Sequence, residues 1–183
     1  MKIKLNEQDI DISSEVTLDE LCRTYKPNAD IKICNGAICE DDIVICENDH
    51  IMLIKRGEIP SAKELEIVMT ARHTPGIHET LKRSCVGIAG LGGLGSSVAV
   101  ALARIGIGKL ILVDFDIVEP SNLNRQQYFV DQLGMLKTDA LKDNLRRINP
   151  YVNLCCHSEK IDKENINQLF SDAKVLIEAF DRP

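Results

Sequence analysis

The feature that most constrains this chain is the run Gly90-Leu91-Gly92-Gly93-Leu94-Gly95-Ser96. It follows a short apolar stretch, Val86 to Ala89, and leads into the small-residue stretch Ser97 to Ala103. Strand, glycine turn and helix make the first half of a nucleotide-binding βαβ unit. One glycine makes the sharp turn, one lets backbone N–H groups approach a phosphate, and one lets the helix pack on the sheet. The free N–H groups and the dipole at such a helix start favour an anion. Gly106 and Gly108 end the helix, and Lys109 to Val113 forms the next strand, closing on Asp114. A carboxylate at that strand tip, 24 residues after Gly90, is expected to accept hydrogen bonds from a ribose diol. Gly90, Gly92, Gly93, Gly95 and Asp114 are therefore the first cofactor-binding residues expected. These features alone do not separate NAD from ATP, and a tight turn without ligand is the bland alternative.

The following segment discriminates between the two nucleotides. A dehydrogenase would enter its next helix directly after Asp114. This chain instead runs through a polar loop containing Asn122, Asn124, Arg125 and Gln126. Lys137 then stands at the start of a helix expected over Thr138 to Ile148, where the macrodipole disfavours a cation by roughly 0.3–1 kcal/mol. An anion nearby would reverse that cost. A forked guanidinium and a mobile ammonium beside a glycine loop suit a polyphosphate. The bland readings are a surface ion pair of Arg125 with Asp116 or Glu119, and simple exposure of Lys137.

The first third of the chain has a different character. Residues 1–60 hold 7 basic and 13 acidic side chains, whereas the remaining residues balance at 15 of each. The whole net charge of −6 therefore lies in one unit. Met1 to Leu5 and Asp9 to Ile12 alternate as a hairpin. Thr17 and Glu20 form a capping box for a helix ending near Tyr25, before Pro27. Apolar runs at Ile31–Cys34, Ile43–Cys46 and Ile51–Ile54 are expected as strands, with turns at Asn35-Gly36 and Asn48-Asp49. This order is that of a β-grasp, or ubiquitin-like, domain. Ser61 and Glu64 make a second capping box for a helix to about Arg72, and Thr74-Pro75 starts another toward Lys82.

The motifs Gly90 to Ser96, Leu112-Val113-Asp114-Phe115-Asp116, Ser121 to Gln126 and Lys137 resemble the ThiF/MoeB/ubiquitin-activating-type adenylyltransferase family. The N-terminal unit resembles its ThiS-like carriers. The resemblance implies an α/β chain: a β-grasp domain at 1–58, a helical linker at 59–84, and at 85–183 the first half of a Rossmann-like, mostly parallel adenylation domain. It implies ATP and Mg²⁺ as cofactors, and adenylation of the C-terminal carboxylate of a ThiS-type sulfur carrier in thiamine biosynthesis. A sulfur donor such as a cysteine desulfurase and a second copy of the chain are the other implied partners. By motif, Gly93 would face the phosphates and Asp114 would hold the ribose. Asn122 and Arg125 would contact phosphate, Lys137 would neutralise the leaving pyrophosphate, and Asp181 would help hold Mg²⁺. Arg125, Lys137 and Asp181 are thus the catalytic residues implied. Activation of a molybdopterin carrier, a peptide or a modified tRNA base, a NAD-dependent oxidoreductase, and a non-catalytic carrier-like scaffold are the alternatives.

Three departures from the family pattern stand out. Pro75 stands where the second arginine of an Arg-Tyr-x-Arg element would be, which argues against the trans arginine contact of the family and leaves Arg72 only as a candidate for it. The β-grasp unit lacks a terminal Gly-Gly and runs on through Lys55-Arg56-Gly57-Glu58, so it is expected to dock or stabilise rather than be charged. The chain stops at Pro183, and is expected to be a fragment whose zinc ligands, where the family has them, would lie further on. The acidic balance argues against nucleic-acid binding. The longest apolar stretch is broken by Arg104 and Lys109, against a membrane span. Seven scattered cysteines without C-x-x-C spacing and the absence of a signal-like run point to a reduced, cytoplasmic protein. Cys22, Cys34, Cys39, Cys46 and Cys85 are expected as core thiols, and His73, His78 and His157 as lacking any ligand or triad pattern.

Overall fold

A computed structural model describes residues 1–70 and 76–181. The chain divides into two compact units, Met1–Arg72 and His73–Pro183. In the first, β1 (Lys2–Leu5) and β2 (Gln8–Asp11) pair antiparallel, with Ile3 opposite Ile10. Asn6 and Glu7 both take positive φ, as the tightest hairpin turns require. Helix α1 (Leu18–Tyr25) opens on the expected box: Thr17 accepts from the Glu20 N–H, and the Glu20 carboxylate accepts from Thr17 N–H. Strands β3 (Ile31–Cys34), β4 (Ala37–Ile38) and β5 (His50–Ile54) complete a sheet of order β2-β1-β5-β3-β4, with β5 parallel to β1. This is the β-grasp arrangement. Its core is Ile3, Leu5, Leu18, Leu21, Ile51 and Leu53, all buried. Each such side chain contributes on the order of 1.5–3 kcal/mol.

One expected strand is absent. Ile43–Cys46 makes only an isolated bridge, Val44 to Thr17. Its apolar character serves Ile45, which enters the core from a loop at 2% exposure while its N–H bonds to the Val16 carbonyl. The two-residue β4 was too short to show alternation. Cys34 and Cys85 are buried as expected, but Cys46 is exposed and Cys22 and Cys39 are only half-buried. Helix α2 (Ala62–Thr70) follows Ser61, whose hydroxyl and backbone exchange hydrogen bonds with Glu64. Arg72, His73 and the Thr74-Pro75 start lie outside the described residues.

In the second unit, α3 (Ile77–Lys82) precedes β6 (Cys85–Ala89), α4 (Gly93–Arg104), β7 (Lys109–Val113), α5 (Lys137–Ile148), β8 (Asn153–His157), α6 (Ile166–Leu169) and β9 (Val175–Glu178). The four strands run parallel in the order β8-β7-β6-β9. The chain builds outward from β6 through β7 to β8, then crosses back to β9 on the other side. That reversal opens a crevice beyond the carboxyl ends of β6 and β9, the usual ligand position in such sheets. Alternate residues face opposite layers. Ile88, Leu110 and Leu112 pack with Leu141 and Leu145 of α5. Ala89, Ile111 and Val113 pack with Leu169 and Phe170 around α6.

Gly108 is required by close packing rather than by φ. A Cβ there would lie 1.8 Å from the Lys82 carbonyl oxygen at the end of α3. Gly108→Ala is expected to lower stability by about 1–3 kcal/mol, the usual cost of overpacking, as a reduced midpoint in urea denaturation.

Candidate functional site

The glycine turn lies in the crevice. Gly90 has φ +90, and a Cβ on it would come within 2.9 Å of the Ala179 carbonyl oxygen at the end of β9. Gly95 allows α4 to start against the turn: a Cβ there would stand 1.9 Å from the Gly90 oxygen. Helix α4 begins at Gly93 without a side-chain cap on Gly92, which leaves its leading N–H dipoles for an anion. The surface of Gly93 is open except for Arg125, whose Cγ would be 3.6 Å from an added Cβ. An Asp181 carboxylate oxygen would be 3.9 Å from a Cβ on Gly92. Gly90, Gly92, Gly93 and Gly95, with Arg125 and Asp181 from distant segments, therefore share one hollow.

Asp114 organises its floor. It is 8% exposed. One carboxylate oxygen accepts from Leu91 N–H at 2.6 Å, and the other from Asp116 N–H at 2.8 Å. Each oxygen retains a second acceptor direction, so a ribose hydroxyl remains compatible. Lys137 is not exposed, as its bland reading had it, but buried at 6%. It is the first residue of α5. Its Nζ donates to Asp116 at 2.9 Å and stands 4.0 Å from the same Asp114 oxygen that holds Leu91. Two carboxylates thus offset the unfavourable helix-end position. The ion pair of Arg125 with Asp116 or Glu119, its bland reading, is not formed either. Its guanidinium donates to the Ser121 carbonyl and to Asn124 Oδ1, and stays exposed. Asn122 is buried, and its side-chain oxygen caps the local turn by accepting from Glu119 N–H at 3.0 Å.

Three residues escaped the sequence reading as site members. Tyr128 is buried and donates its hydroxyl to the Leu91 carbonyl at 2.8 Å. Burial, then the nearby Asp114 and Asp116 carboxylates, raise its pKa strongly, so it remains a donor. Asp116 is the partner of Lys137. Gln126 is 8% exposed and its side-chain oxygen is buried without a hydrogen-bond partner among the described residues. The only available signals were one aromatic and one more amide inside a polar loop.

The loop is held by amides. Gln127 N–H donates to Ser96 Oγ on α4, and Asn144 of α5 donates to the Gln127 carbonyl and pairs with Gln132. An orphaned amide oxygen, an uncapped glycine helix start and two cations fit a nucleotide carrying several phosphates. Among the described residues no group of three or more acidic, histidine or cysteine side chains could hold a metal ion. The acidic side chain beside Gly92 is that of Asp181.

A glycine cradle at the switch point of a parallel sheet, downstream of a β-grasp unit in the same chain, defines a nucleotide-binding protein with a ubiquitin-like module. The chain belongs to the ThiF family: residues 66–183 match it, and residues 1–57 match the ThiS-like ubiquitin family. It is 38% identical over 104 residues to the molybdopterin-synthase adenylyltransferase of Haemophilus influenzae, covering 56% of this chain and 43% of that protein. It is 44% identical over 84 residues to the ubiquitin-like modifier-activating enzyme 5 of Caenorhabditis elegans, covering 46% of this chain and 20% of that protein. Its fold is similar to that of E. coli tRNA N6-threonylcarbamoyladenosine dehydratase in complex with ATP, with a TM-score of 0.62, 28% identity, 68% of this chain and 52% of that chain covered. E. coli MccB with ATP is similar at a TM-score of 0.55 and 31% identity, over 64% of this chain and 33% of that chain. The chain thus spans from about a fifth to half of the length of these relatives.

Tyr128→Phe removes the donor to a buried carbonyl and leaves the Leu91 oxygen unpaired. It is expected to destabilise the second unit by about 1–3 kcal/mol, read as a shifted denaturation midpoint.

Proposed function

We propose that this protein takes part in ATP-dependent adenylation of the C-terminal carboxylate of a ubiquitin-like or sulfur carrier protein, as a nucleotidyltransferase. The observation that carries this reading is Arg125 lying against Gly93 at the uncapped start of α4, with Lys137 held beside the Asp114 carboxylate that bonds the Leu91 N–H of the glycine turn. Bound ATP would supply an activated phosphorus and pyrophosphate as leaving group. The chain's residues supply position and charge. The α4 start and Gly93 hold phosphate oxygens, and Asp114 orients the ribose. Gln126 Oε1 offers an acceptor for a nucleotide hydroxyl or amine. Arg125 swings from its Ser121 and Asn124 partners to phosphate. Lys137, held by Asp116 beside Asp114, stabilises negative charge developing on the leaving group. Such displacements depend mainly on positioning and neutralisation. Asp181 would contact Mg²⁺ carried in with the nucleotide. Asn122 acts through the loop turn it caps, with phosphate contact a secondary role.

The finer reading is a ThiS-type carrier in thiamine biosynthesis, with a cysteine desulfurase as sulfur donor and a homodimer as the working assembly in the cytoplasm. It rests on the likeness of residues 1–57 to ThiS-like ubiquitin domains. The adenylyltransferase named for molybdopterin synthase among the relatives favours a molybdopterin carrier as the second reading. No described helix is long and apolar enough to cross a membrane.

ATP–pyrophosphate exchange with a ThiS-type carrier and, separately, a molybdopterin carrier tests both readings. Exchange with neither, together with NADH binding tighter than ATP, overturns the proposal. Arg125→Ala is expected to reduce exchange about 10²-fold with an unchanged denaturation midpoint. Lys137→Ala is expected to reduce it similarly but also to lower the midpoint, because Asp114 and Asp116 lose the buried cation between them.

A further inference from the structure

A second group of reactive side chains lies away from the glycine hollow, on the sheet face that α6 covers. Cys155 and His157 are two residues apart on β8 and so project to the same side. Cys155 Sγ is 3.2 Å from His157 Nε2. The other ring nitrogen, Nδ1, is 3.8 Å from one carboxylate oxygen of Glu159. The second Glu159 oxygen accepts from the Asn165 side-chain amide at 3.2 Å, which turns the carboxylate toward the ring. A thiol, an imidazole and a carboxylate in series are the elements of an activated cysteine. The sequence reading found no triad around His157, because the spacing Cys-x-His-x-Glu becomes a constellation only when a strand places every second residue on one face.

These groups border an open pocket of about 310 Å³. Lys109, Gln168, Ser171 and Asp172 give it a polar wall, and Ile111 and Leu169 an apolar floor. Cys155 is half-buried and unbridged. No neighbouring thiol can resolve it internally. Cys156 points to the opposite face, where it packs with the α4 and α5 layer. Cys85 is on β6, separated from β8 by β7, so the backbones are roughly 9–10 Å apart. That is beyond the reach of a disulfide.

We propose that Cys155 is a histidine-activated thiol that undergoes exchange with small polar disulfides, forming a mixed disulfide in the pocket beside α6. His157 takes the thiol proton, and the thiolate attacks one sulfur of the incoming disulfide. A new S–S bond forms as the old one breaks, the departing thiolate takes up a proton, and no other oxidant is needed. Glu159 faces the other ring nitrogen and orients the imidazole. Cys156 is the internal contrast: burial pushes its pKa up to about 11, so it stays protonated at neutral pH.

The test is incubation of the protein with oxidised glutathione at neutral pH, followed by peptide mapping by mass spectrometry. Cys155 is expected to be glutathionylated about tenfold or more faster than the exposed Cys46, with Cys156 unmodified and the adduct released by dithiothreitol. His157→Gln is expected to slow Cys155 about tenfold and to change the pH profile of its rate, while the Cys46 rate stays constant. Equal rates at Cys155 and Cys46 in the unaltered protein would overturn the proposal without any variant. So would an unchanged Cys155 rate in His157→Gln.

Discussion

The Asp114 carboxylate is the interaction on which the nucleotide hollow depends. It fastens the glycine turn through Leu91 N–H, the following loop through Asp116 N–H, and lies beside the Lys137 ammonium at the head of α5. Three segments far apart in the chain are thereby referred to one buried anion. Burying a carboxylate alone would be costly, and two charge-assisted hydrogen bonds with a nearby cation offset that cost. Tyr128 reinforces the arrangement from the other side of Leu91. The parallel sheet supplies the place, since β7 delivers Asp114 at its carboxyl end next to the turn that follows β6.

The polar loop after β7 is kept in position by amides rather than by apolar packing alone. Gln127, Gln132 and Asn144 link it to α4 and α5. Most amide hydrogen bonds there are satisfied, which makes the Gln126 oxygen a true exception. Arg125 is different again: it is exposed and held only by a carbonyl and an amide from its own loop. Its guanidinium is therefore held less firmly than the buried Lys137 ammonium.

The β-grasp unit repeats the architecture of a carrier while its last strand continues into Lys55-Arg56-Gly57-Glu58 and α2. It offers no carrier-type Gly-Gly end at that point. Its acidic excess and its own core set it apart from the unit that carries the glycine turn.

Much was legible in the sequence because local chemistry and fold agreed. The Thr17–Glu20 and Ser61–Glu64 boxes and the glycine run each carry their own geometric requirement. Ile43–Cys46 misled because an apolar loop filling a core has the composition of a strand, and only pairing distinguishes them. The cysteine and histidine positions misled for a related reason: exposure and mutual distance are properties of the packed sheet. The sequence by itself determined the two kinds of fold and the glycine turn, since these follow from backbone preferences and periodicity. Only the tertiary structure decided that Lys137 is a buried cation between two carboxylates and that Cys155, His157 and Glu159 form a series. Those facts depend on strand register and long-range burial, which no short segment encodes.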